Sequence, residues 1–349
     1  MDKVRIGFIG AGWWATTNHM PIFAQREDVK MAGVCRLGAE MLQAVKEKFE
    51  FPFATEDYHE LLAQELDGVV VSSPHHLHFE HARAALLSGR HVMCEKPMTL
   101  DAHQAWELVN LAKERNLQLL VPYGWHYKPL VQQAKQLMAE GVVGNIEYVL
   151  CHMASPTKEL FGGSGAAPEQ RVPSFTQPDP KTWQVKENGG GYAHGQITHS
   201  SGLMFWLTGL RAKDVSARMI SPHSNVDMYD AATVTFENGA IGVISGAATL
   251  PPDVKFQLDV RIFGSEGVLN LDIDRARLDL FRHDGKHRSI PVDIDAGEYD
   301  CDGPPNRFVE VIKGEGANDS PGEVAARSVE MLSAMFESVA EGGVPVPVS

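Results

Sequence analysis

Only four cysteines occur in 349 residues, Cys35, Cys94, Cys151 and Cys301, and no two stand at the short spacing of a metal site. That scarcity excludes a disulfide-built scaffold and leaves single thiols of a reducing compartment, so a cytoplasmic protein is expected. Basic charge is also short. There are 31 Lys and Arg against 45 Asp and Glu, a net charge of −14, and no basic run appears. A phosphate backbone needs a concentrated basic surface, so nucleic acid is excluded as a partner. No apolar stretch approaches the roughly 20 residues that cross a bilayer, and no membrane partner is expected. Nor does the N-terminus show a signal-peptide pattern, because Arg5 and Gly7 interrupt its one apolar run.

What remains is ordinary globular composition, 44% hydrophobic and 22% charged, in a chain longer than one core usually serves. Strand-like runs at Val4–Ile9, Met31–Cys35, Gly68–Ser72, His91–Cys94 and Leu117–Val121 alternate with helical patterns at 39–49, 58–62, 79–88 and 101–115. That alternation predicts an α/β doubly wound parallel sheet over residues 1–122, a dinucleotide-binding domain. After Pro122 the pattern changes. Asn145–Met153 reads as a strand, residues 155–188 as a long irregular segment, and Asn238-Gly239, Gly264–Gly267 and Asp284-Gly285 as hairpin turns. Residues 123–349 are thus predicted to form an α+β domain with a large, mostly antiparallel open sheet, closed by a helix near 323–341. An open sheet face needs covering, so a homodimer or homotetramer is expected. The irregular segment is either a lid or binding loop or a variable surface insertion.

Gly10-Ala11-Gly12-Trp13-Trp14-Ala15 follows the first strand directly and opens a helix. The first glycine suits a tight turn, the second lets backbone approach a pyrophosphate, and Ala15 is small enough for helix–strand packing. Helix N–H groups then face the phosphates, placing Gly10, Ala11, Gly12, Trp13 and Trp14 at a cofactor. The carboxylate that usually receives a ribose 2′-hydroxyl is missing. Arg36 stands at the end of the second strand instead, able to pair with a 2′-phosphate or stack on adenine, so NAD and NADP both stay open.

Ser73, Pro74, His75 and His78 follow the third strand, where ligands bind in open α/β sheets, and are read as cofactor contacts. His76, His81 and His91 lie nearby, but no carboxylate or cysteine completes a tetrahedral set, so no metal is expected. Glu95-Lys96-Pro97 follows the fourth strand. A lysine at that edge faces the crevice, and burial would lower its pKa enough for proton exchange with a hydroxyl. A surface ion pair with Glu95 is the plainer alternative. Gly189-Gly190-Gly191 precedes His199 at a helix start, and His199 is read either as a site residue or as a core histidine beside Leu203, Trp206 and Leu207.

In this order and spacing, the fingerprint, Ser73-Pro74-His75-His76-Leu77-His78, Glu95-Lys96-Pro97 and the Gly-Gly-Gly…His stretch resemble the Gfo/Idh/MocA family of glucose–fructose oxidoreductases, inositol dehydrogenases and rhizopine-catabolism proteins. The resemblance covers essentially the whole chain and includes Asn306-Arg307-Phe308-Val309 before the last helix. It implies an N-terminal Rossmann domain, an NAD(P) cofactor contacted by Glu95 and Lys96 among others, and Lys96 and His199 at the reacting carbinol. The sequence departs from the family at one point. Members often carry an Asp midway between the third glycine and the histidine, where this chain has Gly195. His194 and Gln196 flank that gap and are candidates for sugar hydroxyls, with Tyr123, His126 and Trp183 as further substrate contacts. The expected activity is hydride transfer between a nicotinamide and a secondary carbinol of a sugar, cyclitol or glycoside. The alternative is a glycosidase that oxidises its sugar transiently, eliminates the aglycone, adds water and reduces the ketone again. A non-catalytic dinucleotide sensor is the third reading.

Overall fold

A computed structural model describes residues 3–163, 176–293 and 295–349. Strands β1 (Val4–Ile9), β2 (Val29–Cys35), β3 (Ala54–Thr55), β4 (Gly68–Val71), β5 (His91–Cys94) and β6 (Leu119–Leu120) form one parallel sheet, ordered β3-β2-β1-β4-β5-β6. Helices α1 (Met20–Ala24), α2 (Ala39–Lys48), α3 (Tyr58–Leu62), α4 (His78–Leu87) and α5 (Ala102–Glu114) make the crossovers. β4 is buried at every position, as expected of a parallel strand covered on both faces. The strand order reverses between β1 and β4, and the crevice at that point is where open α/β sheets hold ligands.

After α6 (Pro129–Ala139), strand β7 (Ile146–Ala154) enters a second sheet of nine strands. Two helical turns follow in the irregular segment, α7 (Lys158–Gly162) and α8 (Pro180–Trp183). Then come α9 (Thr198–Thr208) and strands β8 (Ala212–Ile220), β9 (Tyr229–Phe236), β10 (Ile241–Ala247), β11 (Gln257–Gly264), β12 (Gly267–Asp272), β13 (Arg277–Arg282) and β14 (Arg288–Ile290). The chain ends with α10 (Gly303–Ile312), α11 (Gly322–Ala340) and β15 (Val346–Pro347). The sheet order is β14-β13-β12-β11-β7-β10-β9-β8-β15, antiparallel except where β7 meets β10. All three expected hairpins are present, at β9–β10, β11–β12 and β13–β14. Strand β8 and helix α6 were not read from the sequence.

Burial alternates along β9, as in a sheet with one covered face. The covering layer includes α9, whose residues 198–207 are all buried, so it is apolar around its whole circumference rather than along one stripe. The opposite sheet face leaves Ile241 and Phe281 exposed and sets Tyr148 and Phe263 with ring centroids 5.5 Å apart.

The C-terminal helices turn back to the first sheet. Phe308, Val309 and Val311 of α10 join a core cluster with Phe8, Val70, Met93 and Leu120. Phe308 lies so close to β4 that a Cβ at Gly68 would meet its ring at 3.0 Å. Phe308→Ala should therefore destabilise the protein by about 3–5 kcal/mol. Equilibrium urea unfolding measures this, and a loss below about 1 kcal/mol would contradict the packing described.

Candidate active site

The turn after β1 depends on a glycine. Gly10 has φ +93°, and a Cβ there would lie 2.4 Å from Ser72 C and Ser73 N. The two loops leaving β1 and β4 can therefore touch only if residue 10 has no side chain. Gly12, by contrast, faces open space, with nothing within 4 Å of its virtual Cβ. That opening belongs to a cleft of about 690 Å³. Gly10, Ala11, Gly12, Trp13 and Trp14 line it from β1, and Ser73, Pro74, His75 and His78 from β4. Arg36 borders it on the β2 side, and Glu95 and Lys96 on the β5 side. A backbone cradle left open at Gly12, with helix N–H groups beside it, fits a pyrophosphate.

At the β2 end, Arg36 donates from Nη1 to Ala11 O at 2.9 Å and from Nε to Leu37 O at 3.2 Å. Its burial lowers its pKa, and no carboxylate forms an ion pair with it among the described residues. Two carboxylates absent from the sequence-based set do line this end, Glu56 and Asp57. Glu56 accepts the Gly38 N–H at 2.5 Å and Asp57 the His59 N–H at 2.8 Å. Both follow β3, a two-residue strand too short to announce itself, so neither was associated with the cleft.

His75 and His78 are structural ties as well as lining. His78 sits between two carbonyls, Nδ1 at 2.7 Å from Pro97 O and Nε2 at 2.8 Å from Ser73 O. His75 Nδ1 lies 2.9 Å from Gly189 O, joining the β4 loop to the triple glycine. Trp183 stands over this contact, 4.9 Å from the His75 ring and 6.4 Å from Trp13. Residues 176–183 of the irregular segment thus supply cleft wall, through Thr176, Gln177, Asp179 and Trp183 among others. The 164–175 part of the same segment lies outside the described residues. No group of three or more His, Cys, Asp or Glu is arranged to hold a metal among the described residues.

The β5 end holds the ionisable groups. The helical run after the fingerprint begins with a wide π-type turn, Ala15–His19, that brings His19 inward. Its Nε2 lies 2.5 Å from Glu95 Oε1, with both residues buried. Burial alone would raise the Glu95 carboxyl, but the His19 hydrogen bond and charge, with Lys96 beyond, hold it below the usual range. The ammonium of Lys96 donates to Gly195 O at 2.9 Å and lies 5.9 Å and 5.6 Å from the Trp14 and Trp183 ring centres. Burial pulls its pKa below 10.5, although the Glu95 charge and the Cys301 thiol push the other way.

His199 is 5% exposed and ringed edge-on by Trp125 at 5.5 Å, Tyr299 at 5.8 Å and Tyr123 at 5.9 Å. Burial, then the charges of Lys96 and His126, drive its pKa well below 6.5, so it is a neutral imidazole at pH 7. Its Nδ1 has no hydrogen-bond partner among the described residues. The space beside Gly195 is filled by an aromatic ring. A Cβ there would meet Phe161 Cζ at 2.5 Å.

Of the seven predicted substrate contacts, Lys96 and Trp183 line the dinucleotide cleft, and His199, Tyr123, His126, His194 and Gln196 do not. Tyr123 is buried with its hydroxyl 3.3 Å from Thr198 Oγ1. His126 is fully buried, stacked on Trp206 at 4.6 Å and tied to Asp319 O and Ser320 Oγ. His194 stacks on Phe336 of α11 at 4.7 Å. Gln196 is 8% exposed on the same turn. Sequence reading also passed over His19, Tyr299 and Cys301. The last two come from the irregular stretch before α10, where nothing in the residue pattern marks them.

A sequence model described as "Oxidoreductase family, NAD-binding Rossmann fold" matches residues 4–123, and one described as "GFO/IDH/MocA C-terminal domain" matches residues 131–270. An uncharacterized oxidoreductase of Synechocystis is 25% identical over 79% of this chain and 73% of its own length. D-glucoside 3-dehydrogenase of Escherichia coli is 35% identical over 42% of each chain. A solved levoglucosan dehydrogenase in complex with NADH and levoglucosan superposes with a TM-score of 0.78 at 20% identity, over 99% of this chain and all of that one. That likeness concerns the fold. With both family models matched in order along one polypeptide, the chain belongs to the Gfo/Idh/MocA family of oxidoreductases.

Proposed function

We propose that this protein is an NAD(P)-dependent dehydrogenase acting on a secondary carbinol of a sugar, cyclitol or glycoside, working in the cytoplasm. One observation carries the reading. The Lys96 ammonium is buried at the end of the dinucleotide cleft, held on Gly195 O and neighboured by a neutral His199. A bound nicotinamide supplies the hydride acceptor or donor. Everything else falls to the chain. Lys96 Nζ, its pKa lowered by burial, accepts the hydroxyl proton of a carbinol placed between it and His199. The neutral imidazole of His199, close enough to Lys96 to feel its charge, orients that hydroxyl. Trp14 and Trp183, which line the cleft, present aromatic surface to the apolar side of a sugar ring and exclude water. The 35% identity with a D-glucoside 3-dehydrogenase, over less than half of its length, supports a carbohydrate substrate. We further propose that Arg36 meets a 2′-phosphate when NADP is bound, and that the exposed face of the second sheet joins copies into a homodimer or homotetramer.

A panel of sugars, cyclitols and glycosides, followed by net NAD(P)H formation, tests the central reading. Release of an aryl aglycone without net NAD(P)H would overturn it in favour of the redox-cycling glycosidase. In the oxidative direction kcat/KM should rise with pH to a plateau, because the proton-accepting form of Lys96 appears as pH climbs through a midpoint below 10.5. Lys96→Met should remove that slope and lower kcat by about 10²–10⁴. An unchanged kcat would exclude Lys96 from the proton transfer.

The cofactor contacts are read by fluorescence titration with NADH and NADPH. Gly12→Ala should leave folding stability within about 0.5 kcal/mol, since its Cβ meets nothing. It should nonetheless weaken both cofactors by about tenfold or more, because that Cβ intrudes into the cradle. Arg36→Ala should weaken NADPH more than NADH, and an equal effect on both would free Arg36 of any phosphate contact. Light scattering checks the assembly, and a monomer at micromolar concentration would refute it.

A further inference from the structure

Two carboxyls beneath the triple-glycine turn have no part in the chemistry above. Asp227 and Asp230 stand at the start of β9, 7% and 3% exposed. Asp227 Oδ2 accepts the Ala193 N–H at 2.6 Å, and its main-chain carbonyl accepts the Tyr192 N–H at 3.0 Å. Ala193 opens a wide π-type turn, Ala193–Ile197, which runs straight into α9. Asp227 therefore caps, from a different element, the helical run that carries both Gly195 and His199. The first N–H groups of such a run lack internal acceptors, and its dipole favours a negative charge there. The glycine before it is shaped to this contact. Gly191 has φ +105°, and a Cβ there would lie 2.1 Å from Asp227 Oδ1.

Asp230 completes the arrangement. Neither of its oxygens meets a donor from elsewhere among the described residues, and its interacting neighbour is the Asp227 carboxyl. No Lys, Arg or His bonds to either carboxyl among the described residues. Tyr192, with its hydroxyl turned to Ser155 Oγ and Met153 O, is the other titratable group beside the pair. Two buried carboxyls without a cation cannot both ionise. Burial raises both carboxyls, but the Asp227 charge adds to the rise at Asp230 while the Ala193 N–H restrains it at Asp227, so the proton resides on Asp230. Protonated Asp230 then donates to Asp227, which keeps its charge at the helix start.

We propose that Asp227, backed by Asp230, is a positioning residue for Lys96, fixing the Ala193–Ile197 turn so that the Gly195 carbonyl holds the Lys96 ammonium in place. The dehydrogenase reading enters only through the assay, since Lys96 can also be followed without turnover. Asp227→Ala should lower kcat by about tenfold to a hundredfold with KM little changed, because the proton acceptor is displaced. It should also change the acetylation of Lys96 by acetic anhydride, read by mass spectrometry at fixed pH, by about twofold or more. Asp227→Asn should recover most of both, since its amide oxygen accepts the Ala193 N–H and its NH₂ donates to Asp230. Should the alanine variant not fold, Asp230→Ala serves instead, with the same direction and a smaller shift in Lys96 labelling. A foldable alanine variant at either position with wild-type Lys96 labelling would overturn the proposal. So would an Asp227→Asn protein no better than Asp227→Ala. If the wild type oxidises no carbinol in the panel, the dehydrogenase reading fails by itself, and Lys96 labelling still decides this one.

Discussion

A buried ammonium is costly unless something close by replaces its water. Lys96 meets that condition with one hydrogen bond to Gly195 O, the nearby charge of Glu95 and the faces of Trp14 and Trp183. Apart from Glu95, its neighbour in sequence, those partners come from three different parts of the chain. Gly195 belongs to the turn before α9, Trp14 to the dinucleotide loop and Trp183 to the irregular segment. The 2.9 Å contact is therefore the point at which the parallel sheet and the second, mostly antiparallel one agree on a common geometry. Shifting the turn against the end of β5 would strand the charge, and the surrounding packing follows from preventing that. His75 on Gly189 O and Trp183 against His75 and Trp13 fix the same relation from the cofactor side.

The electrostatics of the site follow from the same burial acting on groups of opposite charge type. Lys96 and His199 both lose affinity for their proton, so one becomes a usable base and the other stays neutral. Glu95 would shift the other way if it were alone. The π-type turn at Ala15–His19 prevents this by delivering His19 to it, which keeps Glu95 ionised and its field on Lys96. A π-type turn at each of two helix starts, Ala15–His19 and Ala193–Ile197, re-aims the groups around one lysine. Such insertions gather at functional sites because they change direction without breaking a helix.

Much of this was legible in the residues. The parallel sheet was readable because each strand is an apolar run bounded by turn residues and separated by helical periodicity. Twelve residues read as cofactor contacts line one cleft, because a fingerprint and the carboxyl ends of adjacent parallel strands are fixed by topology. What escaped reading depends on tertiary contact. Tyr299 and Cys301 lie in a stretch without periodicity, and Asp227 is separated by 34 residues from the N–H it caps. Tyr123 and His126 carry groups suited to sugars, yet a side chain's chemistry does not reveal whether it faces a cleft or a core. β8 went unread for a related reason. Its alternation is interrupted where the charged neighbours Lys213 and Asp214 fall at a shift in register between Ala212 and Asp214.

Gly195 shows how an absence is enforced by a neighbour. Members of the family often have a carboxylate at that position, and here the Phe161 ring occupies the space a side chain would need. Restoring an acid there would require moving an aromatic residue that is 1% exposed and packs edge-on against Trp183 and Tyr192. The exchange has an electrostatic consequence. A carboxylate beside Lys96 would raise its pKa and hold it protonated, whereas a phenyl ring adds only further desolvation and lowers it. The Glu95 charge, kept by its contact with His19, still opposes that lowering, yet burial outweighs it and the Lys96 pKa stays below 10.5. With no side chain at residue 195, it is the backbone carbonyl of Gly195 that holds the Lys96 ammonium.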